Sequence, residues 1–302
     1  MSPEGGDAPI FIRGMSRSGG TLMVTVLDAH PDIAMSYELY PTLLEPSESE
    51  PERDLRDLAT RIGRSGHDRI ALKAPRSRGL RTFLARARRS GIGYLRFAEL
   101  LGAHVDRGMG FTDLEGRMLF IESCCREKMQ VIGKRRWGLK CNNRYEDYLR
   151  FWPDAHFLNM VRDGRDVLAS QLNTGSFNNA PSAVAEAWVQ THRRFREFSD
   201  KPGVHARAVR YEDLVNAPEE SLRSIMRFLG MSFDPRMLEF HKDDLTIFKS
   251  SHLSLEQISQ PMNAKQVGRW RRDLNAEQLA AFEKTAGALM QELGYEVQTR
   301  AD

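Results

Sequence analysis

The chain has 302 residues, 41% of them hydrophobic, enough for a sizeable core in one large domain or two small ones. Its formal net charge of +3 fits an anionic ligand but is too weak to imply nucleic acid. Cys124, Cys125 and Cys141 form no disulfide framework or C-x-x-C pair, and the eight histidines contain no H-x-x-x-H pair, so no metal is expected.

In chain order, the apolar run at 10–12 reads as a buried strand, and residues 21–29 read as a helix. Between them Gly14-Met15-Ser16-Arg17-Ser18-Gly19-Gly20-Thr21 has the spacing of a phosphate-binding loop, with Gly20 where a nucleotide hydrolase carries its lysine. Gly14 and Gly19 let backbone N–H groups turn toward an anion, the helix start adds partial positive charge, and Arg17 supplies a charge-assisted fork. Further strands are expected at 33–36, 70–72, 137–139, 155–161 and 204–209. Helices are expected at 93–106, 112–130, 166–173, 182–198, 218–229 and 276–293.

Strands alternating with helices predict an α/β fold, a P-loop-type parallel sheet flanked by helices on both sides. In such sheets ligands bind beyond the carboxyl ends of the strands, which directs attention to the residues just after each strand. Those are Glu38, Lys140 and Arg162, with Lys73 as a rival to Lys140. The charge distribution is also uneven. Residues 69–97 contain nine Lys or Arg and no acidic residue, whereas 45–57 is mainly acidic, and a solvated basic helix over 78–89 is the plain reading of the former. The N-terminus lacks the basic and then apolar layout of a signal peptide, and no run of eighteen apolar residues occurs, so a cytoplasmic chain without a transmembrane segment is expected.

Arg17-Ser18-Gly19-Gly20-Thr21, taken with the run from Met160 through Arg162-Asp163-Gly164-Arg165-Asp166 to Ser170, resembles the two donor-binding motifs of sulfotransferases. Those enzymes use 3′-phosphoadenosine 5′-phosphosulfate, and the tyrosylprotein branch is the most similar. Leu27-Asp28-Ala29-His30-Pro31, Tyr211-Glu212-Asp213-Leu214-Val215, Pro261-Met262-Asn263 and Gly268-Arg269-Trp270 extend the resemblance. It covers most of a single domain spanning 1–302, and a poorly matched middle at 43–133 is expected to be a mostly helical insertion on the acceptor side.

The resemblance implies that Arg17, Ser18, Gly19, Gly20, Thr21 and Leu22 hold the 5′-phosphosulfate, and that Arg162 and Ser170 hold the 3′-phosphate. Tyr211, Lys265, Gly268, Arg269 and Trp270 would border the nucleotide. Glu38 would be the catalytic base, a task that a carboxyl raised toward neutral pKa by partial burial suits, and Lys140 would stabilise the leaving phosphate; Ser254 would donate to the sulfate or the leaving oxygen, or serve as a cap or turn residue. Trp188 reads as core. Two departures stand out: Gly20 removes a hydroxyl from the loop, and Tyr40 stands where the tyrosylprotein enzymes place a basic residue. The implied acceptor is a hydroxyl of a sugar, lipid, phenol or peptide tyrosine, and the basic segment suggests that it is anionic. Two other readings of the loop remain, a P-loop nucleotide kinase or hydrolase and a noncatalytic anion-binding module. The former lacks the lysine and a magnesium-binding aspartate.

Overall fold

The computed structural model describes residues 8–65, 68–174, 180–243 and 254–297. Five parallel strands, β1 (Ile10–Gly14), β2 (Ile33–Tyr37), β3 (Arg136–Lys140), β4 (His156–Val161) and β5 (His205–Arg210), lie in the order β2-β3-β1-β4-β5. Alternation along each strand divides the core in two. Phe11, Trp137, Leu139 and Phe157 face one side of the sheet, while Ile10, Ile12, Met35, Leu158 and Met160 face the other. With both faces covered, β1 to β4 read as almost continuous apolar runs, as parallel strands do.

α1 (Gly20–Asp28) follows β1. The β2-to-β3 connection contains α2 (Leu55–Ser65), α3 (Asp68–Ala71), α4 (Arg78–Arg89), α5 (Tyr94–Asp106) and α6 (Leu114–Val131). α7 (Tyr145–Phe151) precedes β4, and α8 (Gly164–Asn173) with α9 (Pro181–Ser199) precedes β5. α10 (Tyr211–Asn216), α11 (Pro218–Phe228), α12 (Leu255–Ile258), α13 (Trp270–Asp273) and α14 (Ala276–Glu292) complete the chain.

The sequence expectation fails at 70–72. That run overlaps a helical turn, Asp68–Ala71, that packs on α2, with Ala71 fully buried in the core on one face of the sheet. Three apolar residues cannot distinguish a strand from a helical turn. α2 was not anticipated, although Leu55, Leu58, Ala59 and Ile62 make a buried stripe at helical spacing.

The strand order positions the site. From β1 the chain moves toward β2, and from β4 it moves toward β5, so the loops leaving these adjacent strands diverge and open a crevice at their carboxyl ends.

Candidate active site

Residues from the loops after β1, β2 and β4, from the carboxyl end of β3, from α4, and from 254–266 line one cavity of about 980 Å³. At its base β1 turns into α1. Gly19 takes φ 96°, and a Cβ there would come within 2.7 Å of the Tyr211 ring, so both conformation and close approach require glycine. The helix start has no side-chain cap, and Gly19, Gly20, Thr21 and Leu22 at that start line the cavity, the arrangement in which a helix N-terminus can receive an anion.

Arg17 ties three segments together. Its Nε donates to Ser170 Oγ on α8 at 2.9 Å, and its Nη1 donates to Ser254 Oγ at 3.0 Å. Across the crevice Arg162 Nη1 donates to the Arg17 carbonyl at 3.0 Å and Nη2 to the Gln266 carbonyl at 2.5 Å, and its guanidinium lies 4.4 Å from the centre of the Tyr211 ring. Burial, with the nearby guanidiniums of Arg162 and Arg269, pushes the Arg17 pKa down. Arg162 Nε and Ser18 Oγ are buried without hydrogen-bond partners among the described residues. Of the two residues, Arg162 lines the cavity.

Asp166 organises the far side. Its buried carboxylate accepts from Gly268 N at 2.8 Å and Trp270 N at 3.0 Å and faces Arg162 Nη2 at 3.6 Å, while burial pushes its pKa up. The motif contained this residue, but nothing in the motif assigned it the task of holding the 268–270 segment.

On the opposite wall, sheet register pairs Tyr37 with Lys140. Lys140 Nζ donates to Glu38 Oε1 at 2.9 Å and to the Tyr37 hydroxyl at 3.2 Å. Arg86 from α4 contacts the second carboxylate oxygen at 3.1 Å. Burial pushes the Glu38 pKa up, but Lys140 and Arg86 outweigh it and bring the value down to about 2. The expectation of a carboxyl raised toward neutral is therefore wrong, because it counted burial and omitted two cations delivered by distant parts of the chain.

Among the expected residues, Arg17, Gly19, Gly20, Thr21, Leu22, Glu38, Lys140, Arg162, Tyr211, Ser254 and Lys265 line the cavity. Ser18 and Ser170 are buried and do not line it. Gly268, Arg269 and Trp270 stand outside its wall. Arg269 pairs with Asp273 at 2.7 Å, and Trp270 is buried with the guanidiniums of Arg165 and Arg271 at 3.9 and 4.5 Å from its ring centre. Trp188 is core, its Nε1 donating to the Arg162 carbonyl at 3.0 Å. Lys73 is exposed and does not line the cavity, which leaves Lys140 as the strand-end lysine.

α4 is not simply a solvated face. Arg78, Arg81, Thr82, Ala85, Arg86 and Arg89 line the cavity while Leu80, Phe83, Leu84 and Ala87 are buried beneath. The i, i+3, i+4 spacing of this polar stripe was readable, but the arginine count alone concealed it. Arg13 at the end of β1 also lines the cavity and was missed. Among the described residues no group of three or more His, Cys, Asp or Glu side chains could hold a metal ion, and no helix is long and apolar enough to cross a membrane.

Among solved structures, the sulfotransferase domain of a Synechococcus olefin synthase superposes with a TM-score of 0.59 at 19% identity, covering 96% of this chain and 97% of that one. The sulfotransferase domain from the curacin biosynthetic pathway gives 0.59 at 15% identity, covering 96% and 99%. These likenesses show the shared fold. Of curated relatives, a putative protein-tyrosine sulfotransferase of Caenorhabditis briggsae is 24% identical over 95% of this chain and 89% of its own length. Protein-tyrosine sulfotransferase 1 of Danio rerio is 26% identical over 86% of this chain and 65% of its own length. The family model described as "Sulfotransferase family" matches residues 9–235, three quarters of the chain and all five strands, and the chain therefore belongs to the sulfotransferase family.

Proposed function

We propose that the protein transfers a sulfuryl group from 3′-phosphoadenosine 5′-phosphosulfate to a hydroxyl acceptor, with Glu38 as base and Lys140 as the cation at the leaving phosphate. Membership of the sulfotransferase family makes it an enzyme of that class rather than a nucleotide kinase or a noncatalytic anion-binding module. The observation that carries the mechanism is the Lys140–Glu38 contact of 2.9 Å in the cavity that also contains the α1 start.

The residues fit the donor. The α1 N–H groups and Arg17 suit the 5′-phosphosulfate, and Arg162 beside Tyr211 suits the 3′-phosphate, where its unpartnered Nε awaits an acceptor. Ser170 and Ser254 hold Arg17 in this arrangement, and Ser254 reaches the cavity itself. In the transfer step an acceptor oxygen–sulfur bond forms as the sulfur–phosphate oxygen bond breaks. Glu38 takes the acceptor's proton, and Lys140 places its charge on the leaving oxygen, releasing adenosine 3′,5′-bisphosphate.

The acceptor side is the wall formed by Tyr40 and α4. Arg78, Arg81 and Arg89 make no side-chain hydrogen bond or ion pair with the described residues, which supports an acceptor that carries negative charge. The named relatives favour a peptide tyrosine among the possible hydroxyls. We further place the protein in a reducing, cytoplasmic setting, a reading supported by its three free buried thiols.

The test is transfer of labelled sulfate from the donor to a panel of hydroxyl acceptors, repeated with Glu38→Gln. Turnover is expected to fall roughly 10²–10⁴-fold in the variant, as for a positioned general base, with donor affinity almost unchanged. Normal turnover in Glu38→Gln would overturn the base assignment. No transfer to any acceptor would overturn the reaction itself.

A further inference from the structure

Glu38 is held in a costly conformation. It takes φ 55°, in the left-handed region that non-glycine residues seldom occupy, and it does so at the end of β2 where the chain leaves the sheet. One side chain makes contacts that hold this geometry from outside the strand. Arg86 Nη1 donates to the Glu38 carbonyl at 2.6 Å, and Nη2 sits 3.1 Å from Oε2. The guanidinium thus grips the backbone and the carboxylate of the same residue, and its Cζ lies 5.3 Å from the centre of the Tyr40 ring. A planar fork can make both contacts at once, whereas an ammonium would have to choose.

The two carboxylate oxygens have different partners. Oε1 receives Lys140, and Oε2 faces Arg86. Under the mechanism proposed above, Lys140 must turn its ammonium toward the leaving oxygen during transfer, which withdraws a counterion from Glu38. Arg86 has no such second duty. We infer that Arg86 is the positioning residue of the base: it fixes the Glu38 carboxylate in its reactive orientation and keeps it ionised while Lys140 serves the leaving group. This inference rests on Glu38 being the base. The other groups around the carboxylate are Tyr37 on β2, Tyr40 in the following loop and Arg89 one turn beyond Arg86 on α4. Of these only Arg89 carries positive charge, and it makes no ion pair among the described residues. The depressed pKa of Glu38 agrees with the double pairing.

The test compares Arg86→Met and Arg86→Lys with the unaltered enzyme across pH. Calorimetry with adenosine 3′,5′-bisphosphate and thermal melts report whether each variant is folded and binds the donor product. Arg86→Met is expected to lower kcat about 10–100-fold with donor-product affinity unchanged, and to move the acid limb of kcat toward neutral pH by about one unit or more. The direction follows because removing a cation makes the carboxyl easier to protonate. Arg86→Lys should keep the limb near its normal pH while recovering only part of kcat, since charge is restored without the fork. Glu38→Gln/Arg86→Met should be no slower than Glu38→Gln alone, because Arg86 acts through the base.

A normal kcat and limb in Arg86→Met would overturn the inference, and so would a slowed reaction with an unmoved limb. A double variant slower than Glu38→Gln by the full Arg86→Met factor would assign Arg86 to the acceptor instead. These results leave the base assignment standing when Glu38→Gln itself is strongly impaired. Should Arg86→Met fail to fold, Arg86→Lys and its double variant with Glu38→Gln decide the question: a kcat defect in Arg86→Lys that persists in the double variant also overturns it.

Discussion

Arg162 links the two halves of the proposed donor site through three distinct contacts, to the Arg17 carbonyl, to the Gln266 carbonyl and to the Tyr211 ring. Arg162→Ala should therefore weaken binding of adenosine 3′,5′-bisphosphate by roughly 1.5–3 kcal/mol, the range for a hydrogen bond to a charged group. Calorimetry measures it, and unchanged affinity would remove Arg162 from the donor site. Glu38 makes a second residue-level claim through pH. Its folded pKa of about 2 lies below its ordinary carboxyl value, so its ion pairs contribute stability above that ordinary value and lose it as pH falls through about 2. The same shift keeps Glu38 ionised in the free enzyme across the neutral range. The acid limb of kcat/KM should accordingly lie below about pH 5, and a limb near pH 6–7 would contradict the paired state of Glu38.

α4 shows how charge and fold combine at the scale of an element. Its apolar stripe seats it in the helical layer, and that seating turns the opposite stripe of arginines into the cavity. Replacing Arg78, Arg81 and Arg89 together with glutamine should raise the acceptor KM and flatten its salt dependence while donor affinity stays constant. Wild-type kinetics at low and high salt would reduce the stripe to surface charge. Arg76, which the basic run alone would group with them, is exposed and absent from the cavity wall.

The same element marks where the sequence stopped being readable. β1 to β4 were legible because buried parallel strands are short apolar runs bounded by turns, and the loop after β1 was legible because its glycines take backbone conformations other residues avoid. Glu38 and Lys140 were placed at strand ends by position alone. Their ion pair, and Arg86 joining it from 48 residues away, depend on how the connection between β2 and β3 folds back over the sheet. No local spacing encodes that return path, which is why burial alone gave the wrong direction for the Glu38 pKa.

For the molecule as a whole, donor binding should act as a clamp across the crevice. Arg17 connects the β1 loop to α8 and to Ser254, Arg162 connects β4 to Gln266, and Asp166 anchors Gly268 and Trp270. The loop, the sheet and the C-terminal segment thus converge on one group of side chains whose charges are predominantly positive. An anion that satisfies these groups binds the folded chain and not the unfolded one. At a hundredfold excess over Kd, adenosine 3′,5′-bisphosphate should stabilise the protein by about 2.7 kcal/mol. For a chain of this size that corresponds to a rise in Tm on the order of 5 °C. The protection should also be local. Amide hydrogen exchange at 254–270 is expected to slow with the nucleotide present, because that segment is joined to the sheet through Arg17, Arg162 and Asp166. Arg17→Ala should remove most of both effects at the same nucleotide concentration. If 254–270 exchanged equally fast with and without nucleotide while Tm rose, the segment would have no part in closing the site, and the contacts of Arg17 and Asp166 would be features of the fold alone.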